Sequence, residues 1–330
     1  MSKLTARKLV NALQVLGSYY YSKNTGRVRK PGLPFSMAFE PTTSCNLRCP
    51  ECPSGLRSFT RPTGMLDVGF FKEKINQMKD HLIYLTFYFQ GEPFLHPGFI
   101  EMVNHASNQK IYTATSTNAH YLDSENARKT VESGLDRLII SIDGTSQKTY
   151  ESYRIGGHLD KVIDGTRNII GWKKKLKSTT PHVVFQFLVV KQNEHQLEEV
   201  QQLADELGVD AVHFKSAQVY DYENGNPLIP ENEKYSRYRR VSDGRFELKN
   251  PLLNQCWKMW HSAVVTWDGK VVPCCFDKDA SHVMGDLSSH SFRDIWYSEK
   301  YDRFRQSILK SRSSIDICKN CSEGLSVVNS

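Results

Sequence analysis

Six apolar, strand-like runs separated by helical segments constrain this chain more than any other feature. The runs lie at residues 36–40, 84–89, 111–116, 137–142, 183–190 and 211–214, and helical periodicity fills 68–79, 97–109, 124–133, 159–177 and 196–207. Gly134 and Gly208 follow two of those segments, as helix stops do. Strands that alternate with helices pair in parallel, because a parallel connection needs a crossover. The expected fold class is therefore α/β, a parallel sheet or barrel over residues 35–219. Chemistry in such folds gathers on the loops that follow the C-terminal ends of the strands.

The rest of the chain is organised around that body. Residues 220–252 shift to Asn, Gly, Pro and charge and read as a connector. Residues 253–330 carry short strands near 263–266 and 270–272, joined at the Asp268-Gly269 hairpin signal, then a helical stretch over 292–309. Residues 1–34 form a basic arm in which Leu4, Leu9, Val10, Leu13 and Leu16 mark one side of a short helix. The basic cluster at 173–177 reads as a solvated helix face.

Lys and Arg number 43 against 36 Asp and Glu, yet the first 39 residues hold seven basic side chains and no acid. From Glu40 onward the charges balance. A nucleic-acid-coating protein needs a basic face on its folded body, so no nucleic-acid partner is expected. Hydrophobic content of 39% and aromatic content of 11% exclude disorder.

Eight cysteines carry the chemistry. No secretory signal pattern occurs, and no apolar run approaches the roughly 20 residues of a membrane span. A cytoplasmic location is expected, where thiols stay reduced and serve metals or catalysis. Cys45, Cys49 and Cys52 follow the first strand at C-x3-C-x2-C spacing. Three thiolates on one short loop can each hold one iron of a cubane and leave the fourth iron open. A structural zinc would want a fourth ligand, and none lies close in sequence.

The segment EPTTSCNLRCPECPSG resembles the radical S-adenosylmethionine (SAM) superfamily, and the resemblance continues in order along about 180 residues. Gln90-Gly91-Glu92-Pro93 is similar to the family's GGEP motif, which implies that Gly91 and Glu92 meet the methionine amino group. Ser116-Thr117-Asn118 looks like its T-N segment, placing Thr117 and Asn118 beside the cofactor. Ser141-Ile142-Asp143-Gly144 resembles SIDG, whose Ser contacts SAM. Arg154 with Gly156-Gly157 resembles R-x-G-G, whose Arg meets the SAM carboxylate, and Leu188 falls where a hydrophobic residue flanks adenine. Two positions depart from the pattern. Gln90 replaces a Gly, which is tolerable where backbone alone matters, and Glu51 replaces an apolar residue expected to pack on adenine.

The second cysteine set, Cys256, Cys274, Cys318 and Cys321, resembles the twitch domain, a shortened SPASM extension, and implies a small C-terminal α+β domain with one auxiliary 4Fe–4S cluster. Four thiolates leave that cluster no open iron, which suits it to electron transfer; a structural zinc is the alternative. Cys275 is open to three readings: an alternative ligand, a buried small hydrophobe, or a thiol facing substrate. His213 and Lys215, at the end of the sixth strand, are candidates to bind or deprotonate substrate, or structural groups.

The resemblance implies a partial (β/α)6 TIM-like barrel over residues 35–219, two 4Fe–4S clusters and SAM, reductive cleavage of SAM to a 5′-deoxyadenosyl radical, and hydrogen abstraction from substrate. An electron donor such as flavodoxin or ferredoxin is implied. Oxidation or rearrangement of a small or lipid-like metabolite ranks first, and maturation of a ribosomally made peptide or protein ranks second. A non-catalytic, zinc-stabilised binding module is a third reading. The basic arm is expected to rest on an anionic membrane surface, peripherally at the inner membrane, to guide an acidic partner, or to cover the barrel bottom.

Overall fold

The computed structural model describes residues 3–327. The extreme ends of the arm and of the C-terminal region, residues 1–2 and 328–330, lie outside the described residues. The chain opens with helix α1 (Ala6–Thr25), then forms β1 (Ser36–Phe39), the short α2 (Pro53–Leu56) and α3 (Val68–Met78). Next come β2 (Tyr84–Thr86), α4 (Phe99–Asn108), β3 (Tyr112–Thr117), α5 (Ser124–Glu132) and β4 (Arg137–Ser141). Then follow α6 (Gln147–Tyr153), α7 (Leu159–Lys175), β5 (His182–Val189), α8 (Leu197–Leu207) and β6 (Ala211–Ser216). Strands β1 to β6 pair in chain order, all in parallel. Their curved sheet does not close.

The period of two along each strand assigns the faces. Leu138 and Ile140 of β4 point outward into the main core, while Arg137, Ile139 and Ser141 line the concave face. On β6, Phe214 and Val212 pack against the core and His213 and Lys215 take the concave side. A polar inner wall inside an apolar outer layer leaves room for ligands within the arc.

After β6 the connector folds a hairpin, β7 (Tyr238–Arg240) with β8 (Phe246–Leu248), and the chain enters α9 (Lys258–His261). The C-terminal strands β9 (Ser262–Val265), β10 (Lys270–Val272) and β11 (Gly285–Asp286) join the barrel's own sheet. β9 lies parallel to β1, and β10 and β11 continue antiparallel. An uncovered β1 would present unpaired backbone groups, and β9 satisfies them. α10 (Phe292–Trp296) and α11 (Glu299–Ser311) replace the single helix expected over 292–309, because the Ser298 hydroxyl caps a fresh start by accepting from Tyr301 N–H. Glu40, fully buried, binds Arg61 through both carboxylate oxygens (2.6 and 2.9 Å) and accepts from Trp267 N–H, tying the first strand to the C-terminal region.

The arm is a docked helix. Tyr19 of α1 packs against Trp257 and Trp260 with centroids 5.1 and 5.6 Å apart. Three of the seven basic side chains form ion pairs with the body, Lys3 with Asp136, Arg7 with Asp80, and Lys30 with Asp302. Lys8 is buried and donates to the Lys110 carbonyl (2.7 Å), just before β3. These contacts lie at the N-terminal ends of the strands, so α1 covers the barrel bottom. Leu9, Val10, Leu13 and Tyr20 remain exposed on its outward face. Among the described residues, no helix is long and apolar enough to cross a membrane. The cluster at 173–177 is not wholly solvated: Lys173 is buried and pairs with Asp210 (2.7 Å).

Candidate active site

The loop after β1 is shaped by its small residues. Cys52 sits at the N-cap of α2, and Pro53 occupies the first turn, where a missing N–H costs nothing. A Cβ at Gly55 would lie 2.6 Å from the Cys49 backbone, so only glycine lets the loop fold this tightly. Cys45, Cys49 and Cys52 then face one cavity of about 260 Å³. Burial pushes the Cys45 thiol up to about 12 and raises Cys49 as well, with Arg154 opposing at Cys49.

The ends of β2, β3 and β4 supply the other walls. Gly91 (φ +75°) donates its N–H to Ser54 Oγ (2.9 Å), and a Cβ there would run into the Thr42 carbonyl oxygen. Glu92 is wholly buried; its carboxylate accepts from Thr117 Oγ1 (2.7 Å), Asn118 N (2.8 Å) and Phe94 N (3.2 Å). Burial nevertheless raises it to about 7. Ser141 Oγ lies 3.4 Å from Ser116 Oγ, and Asn118 Nδ2 lies 4.0 Å from Cys45 Sγ. Gly91, Glu92, Thr117, Asn118, Ser141 and Arg154 all line the cavity with the three thiols. Leu188 does not line it; it packs beside it, in the cluster that includes Leu47, Cys49 and Tyr153.

Asp143 explains how Arg154 is held, a role the motif alone does not assign. This buried carboxylate takes Arg154 Nε with one oxygen and Leu188 N–H (2.7 Å) with the other, and Arg154 Nη1 lies 3.8 Å from Cys49 Sγ. The two departures from the family pattern also acquire contacts. Glu51 accepts from Tyr220 N–H (2.9 Å), fastening the cysteine loop to the connector. Gln90 contributes more than backbone: its side-chain amide lies 3.9 Å from Cys52 Sγ.

A second chamber of about 530 Å³ lies within the arc, and Tyr88 borders both spaces. Cys275, His213 and Lys215 line this chamber rather than the first cavity. Cys275 is exposed to it, so it is not a buried hydrophobe. Cys274 lines the same wall.

Cys256, Cys318 and Cys321 are buried, and Cys274 lies within electrostatic reach of Cys256 and Cys321. Gly324 (φ +73°) passes so close to Cys256 that a Cβ would stand 2.7 Å from its sulfur. Arg312, 1% exposed, aims its guanidinium at this group, with Nη2 3.2 Å from Cys321 Sγ. Its other partners are the Gln255, Cys321 and Glu323 carbonyl oxygens. Sequence reasoning missed Arg312, because a lone Arg six residues before a C-x2-C carries no motif.

Comparison with known proteins agrees with this geometry. The radical SAM superfamily model matches residues 39–204, and the SPASM iron–sulfur cluster-binding domain matches residues 256–322. The chain belongs to the radical SAM superfamily and carries a SPASM domain, so it is an enzyme whose cofactors are 4Fe–4S clusters and SAM. It is similar to a tungsten-containing aldehyde ferredoxin oxidoreductase cofactor-modifying protein of Pyrococcus furiosus, 25% identical over 324 residues and covering 86% of each chain. A PqqA peptide cyclase of Bradyrhizobium diazoefficiens is 25% identical over 299 residues, covering 83% of this chain and 76% of that one. Among solved structures, Streptococcus suis SuiB bound to S-adenosylmethionine aligns over 93% of this chain and 75% of its own at TM-score 0.64 and 14% identity. BtrN in complex with AdoMet and 2-DOIA aligns over 88% and 94% at TM-score 0.53 and 18% identity. At such identities these two structures speak for the fold.

The residues present fit the cofactors. Buried thiols are poor anions until a metal supplies positive charge. Arg312, buried with no carboxylate partner among the described residues, is the cation that an anionic four-thiolate cluster would need nearby. The iron–sulfur description of the matched domain displaces the zinc alternative.

Proposed function

We propose that this enzyme modifies a ribosomally made peptide or protein by radical chemistry. The observation that carries the reading is the likeness to PqqA peptide cyclases over 83% of the chain. It moves peptide maturation ahead of the small-metabolite oxidation that the sequence alone ranks first. In this reading Cys45, Cys49 and Cys52 hold the cluster that binds SAM, and Cys256, Cys274, Cys318 and Cys321 hold the auxiliary one. Residues 35–219 form the catalytic unit, 220–252 the connector and 253–330 the auxiliary unit.

The chemistry that the bound cofactors supply is hydrogen-atom abstraction from an unactivated carbon. The chain's own contribution is placement. Gly91 offers a carbonyl on a turn no other residue can make, and Glu92 presents a carboxylate for the methionine amino group. Asp143 fixes the guanidinium of Arg154 for the SAM carboxylate, while Thr117, Asn118, Ser141 and Leu188 frame the remainder. Tyr88 stands between the cofactor cavity and the chamber, where it limits water reaching the reacting carbon. Cys275 faces the chamber and is the side chain best placed to take a proton from substrate. A flavodoxin or ferredoxin is the proposed electron donor.

The test is co-expression with any short open reading frame encoded beside its gene, followed by mass spectrometry of the peptides. Loss of two hydrogens from one peptide, dependent on Cys45, is expected. Unaltered peptides alongside oxidation of a small metabolite would return the first-ranked reading.

A further inference from the structure

The chamber between the cofactor cavity and the auxiliary thiols has a one-sided charge. Arg137, Lys215 and Lys258 line it, and Glu323 is its single lining carboxylate among the described residues. Glu323 pairs with Lys258 at 3.3 Å. Among the described residues neither Arg137 nor Lys215 forms an ion pair with a carboxylate. Arg137 instead donates from Nη2 to His213 Nδ1 (3.2 Å) and meets the Tyr84 hydroxyl, and its Nε is buried without a hydrogen-bond partner. Since Nδ1 accepts that bond, the proton of neutral His213 sits on Nε2. Burial, followed by the Arg137 and Lys215 charges, lowers the pKa of His213 and keeps it neutral.

The result is a set of donors facing one chamber whose single lining carboxylate, Glu323, is held by Lys258. Register places it: Ser141 stands opposite Gln186, Gln186 opposite His213, and Leu188 opposite Lys215. His213 and Lys215 therefore lie level with the cofactor-framing ends of β4 and β5, and Arg137, opposite His182 at the start of β4, reaches up the concave face to His213. The buried Arg137 Nε, left without a partner, is a donor that a ligand in the chamber would complete.

We infer that this chamber receives a carboxylate of the substrate, bound by Arg137, His213 and Lys215. The inference rests on the peptide-maturation reading only in naming the source, an acidic side chain or a free C-terminus. It casts His213 and Lys215 as substrate-binding donors rather than bases, and it adds Arg137 as a specificity-determining residue.

The experiment is calorimetric titration of the iron-reconstituted, SAM-bound enzyme with two matched pairs of probes. N-acetylglutamate N-methylamide against its glutamine counterpart reports a side-chain carboxylate. N-acetylalanine against N-acetylalanine N-methylamide reports a C-terminal one. At least one charged probe is expected to bind about tenfold more tightly than its neutral partner. That preference should vanish in Arg137→Gln/Lys215→Gln and largely persist in Arg137→Lys/Lys215→Arg, with iron content checking that each variant folds. Equal binding within both pairs, no binding of either charged probe, or a preference that survives the glutamine substitutions would overturn the inference. Carboxylate preference without any modified peptide would sink the maturation reading alone; a modified peptide without that preference would sink this one alone.

Discussion

At position 92 a carboxylate is fully buried and accepts three hydrogen bonds, yet burial lifts it from an ordinary 4.5 to about 7. A raised folded-state value means the protonated form is favoured in the native protein, so the ionised form costs stability as pH climbs through about 7. In the cofactor-free protein, Glu92→Gln should therefore gain on wild type as pH rises from 4.5 through 7, by on the order of 3 kcal/mol at most. The same variant should bind SAM more weakly; thermal melts across pH and SAM titration check the two halves. Gly91→Ala combines a left-handed backbone with a clash against Thr42, and should cost about 1–3 kcal/mol in a chemical-denaturation series. Arg312→Gln should leave the SAM-binding cluster intact and move the auxiliary cluster to a more negative midpoint potential, read by redox titration, because a nearby positive charge is lost. That the first three thiols and Gly91, Glu92, Thr117, Asn118, Ser141 and Arg154 gather around one cavity was legible, because motifs at fixed spacing after successive strands converge at one end of the sheet. Asp143 and Arg312 act on partners 11 and 9 residues away that no motif assigns to them, and Arg137 acts on His213, 76 residues away.

At the scale of elements, all six barrel strands and five of the seven intervening helices were legible within a few residues, since burial on one face imposes its period on the sequence. Two classes of element were not. Short pieces such as α6 and the β7–β8 hairpin depend on a Ser146 cap and a tight turn rather than on an apolar stripe. Helix α1 was legible as a helix, but its partner was not, because the acids that neutralise Lys3, Arg7 and Lys30 come from the body. The docking rests chiefly on Tyr19 against Trp257 and Trp260. Tyr19→Ala should therefore lower stability by about 3 kcal/mol in denaturant titrations. If α1 were a loosely tethered arm, that substitution would change nothing measurable.

Across the whole molecule, the shared sheet is what makes the two cysteine sets one machine. β9 pairs with β1 and β10 with β9, so the strand that leads to the first thiols is joined through β9 to the strand that runs into Cys274. The small C-terminal α+β domain was legible from its cysteines, but not that its strands extend the barrel's sheet, because pairing between β1 and β9, more than two hundred residues apart, leaves no local trace. The most direct measurement of the central claim is anaerobic reconstitution followed by iron analysis and assay of 5′-deoxyadenosine in the presence of SAM and dithionite. Wild type is predicted to hold about eight irons per chain and to release deoxyadenosine, and the Cys45/Cys49/Cys52→Ala triple variant about four, with none released. Unchanged iron content or undiminished deoxyadenosine release in the triple variant would contradict the account.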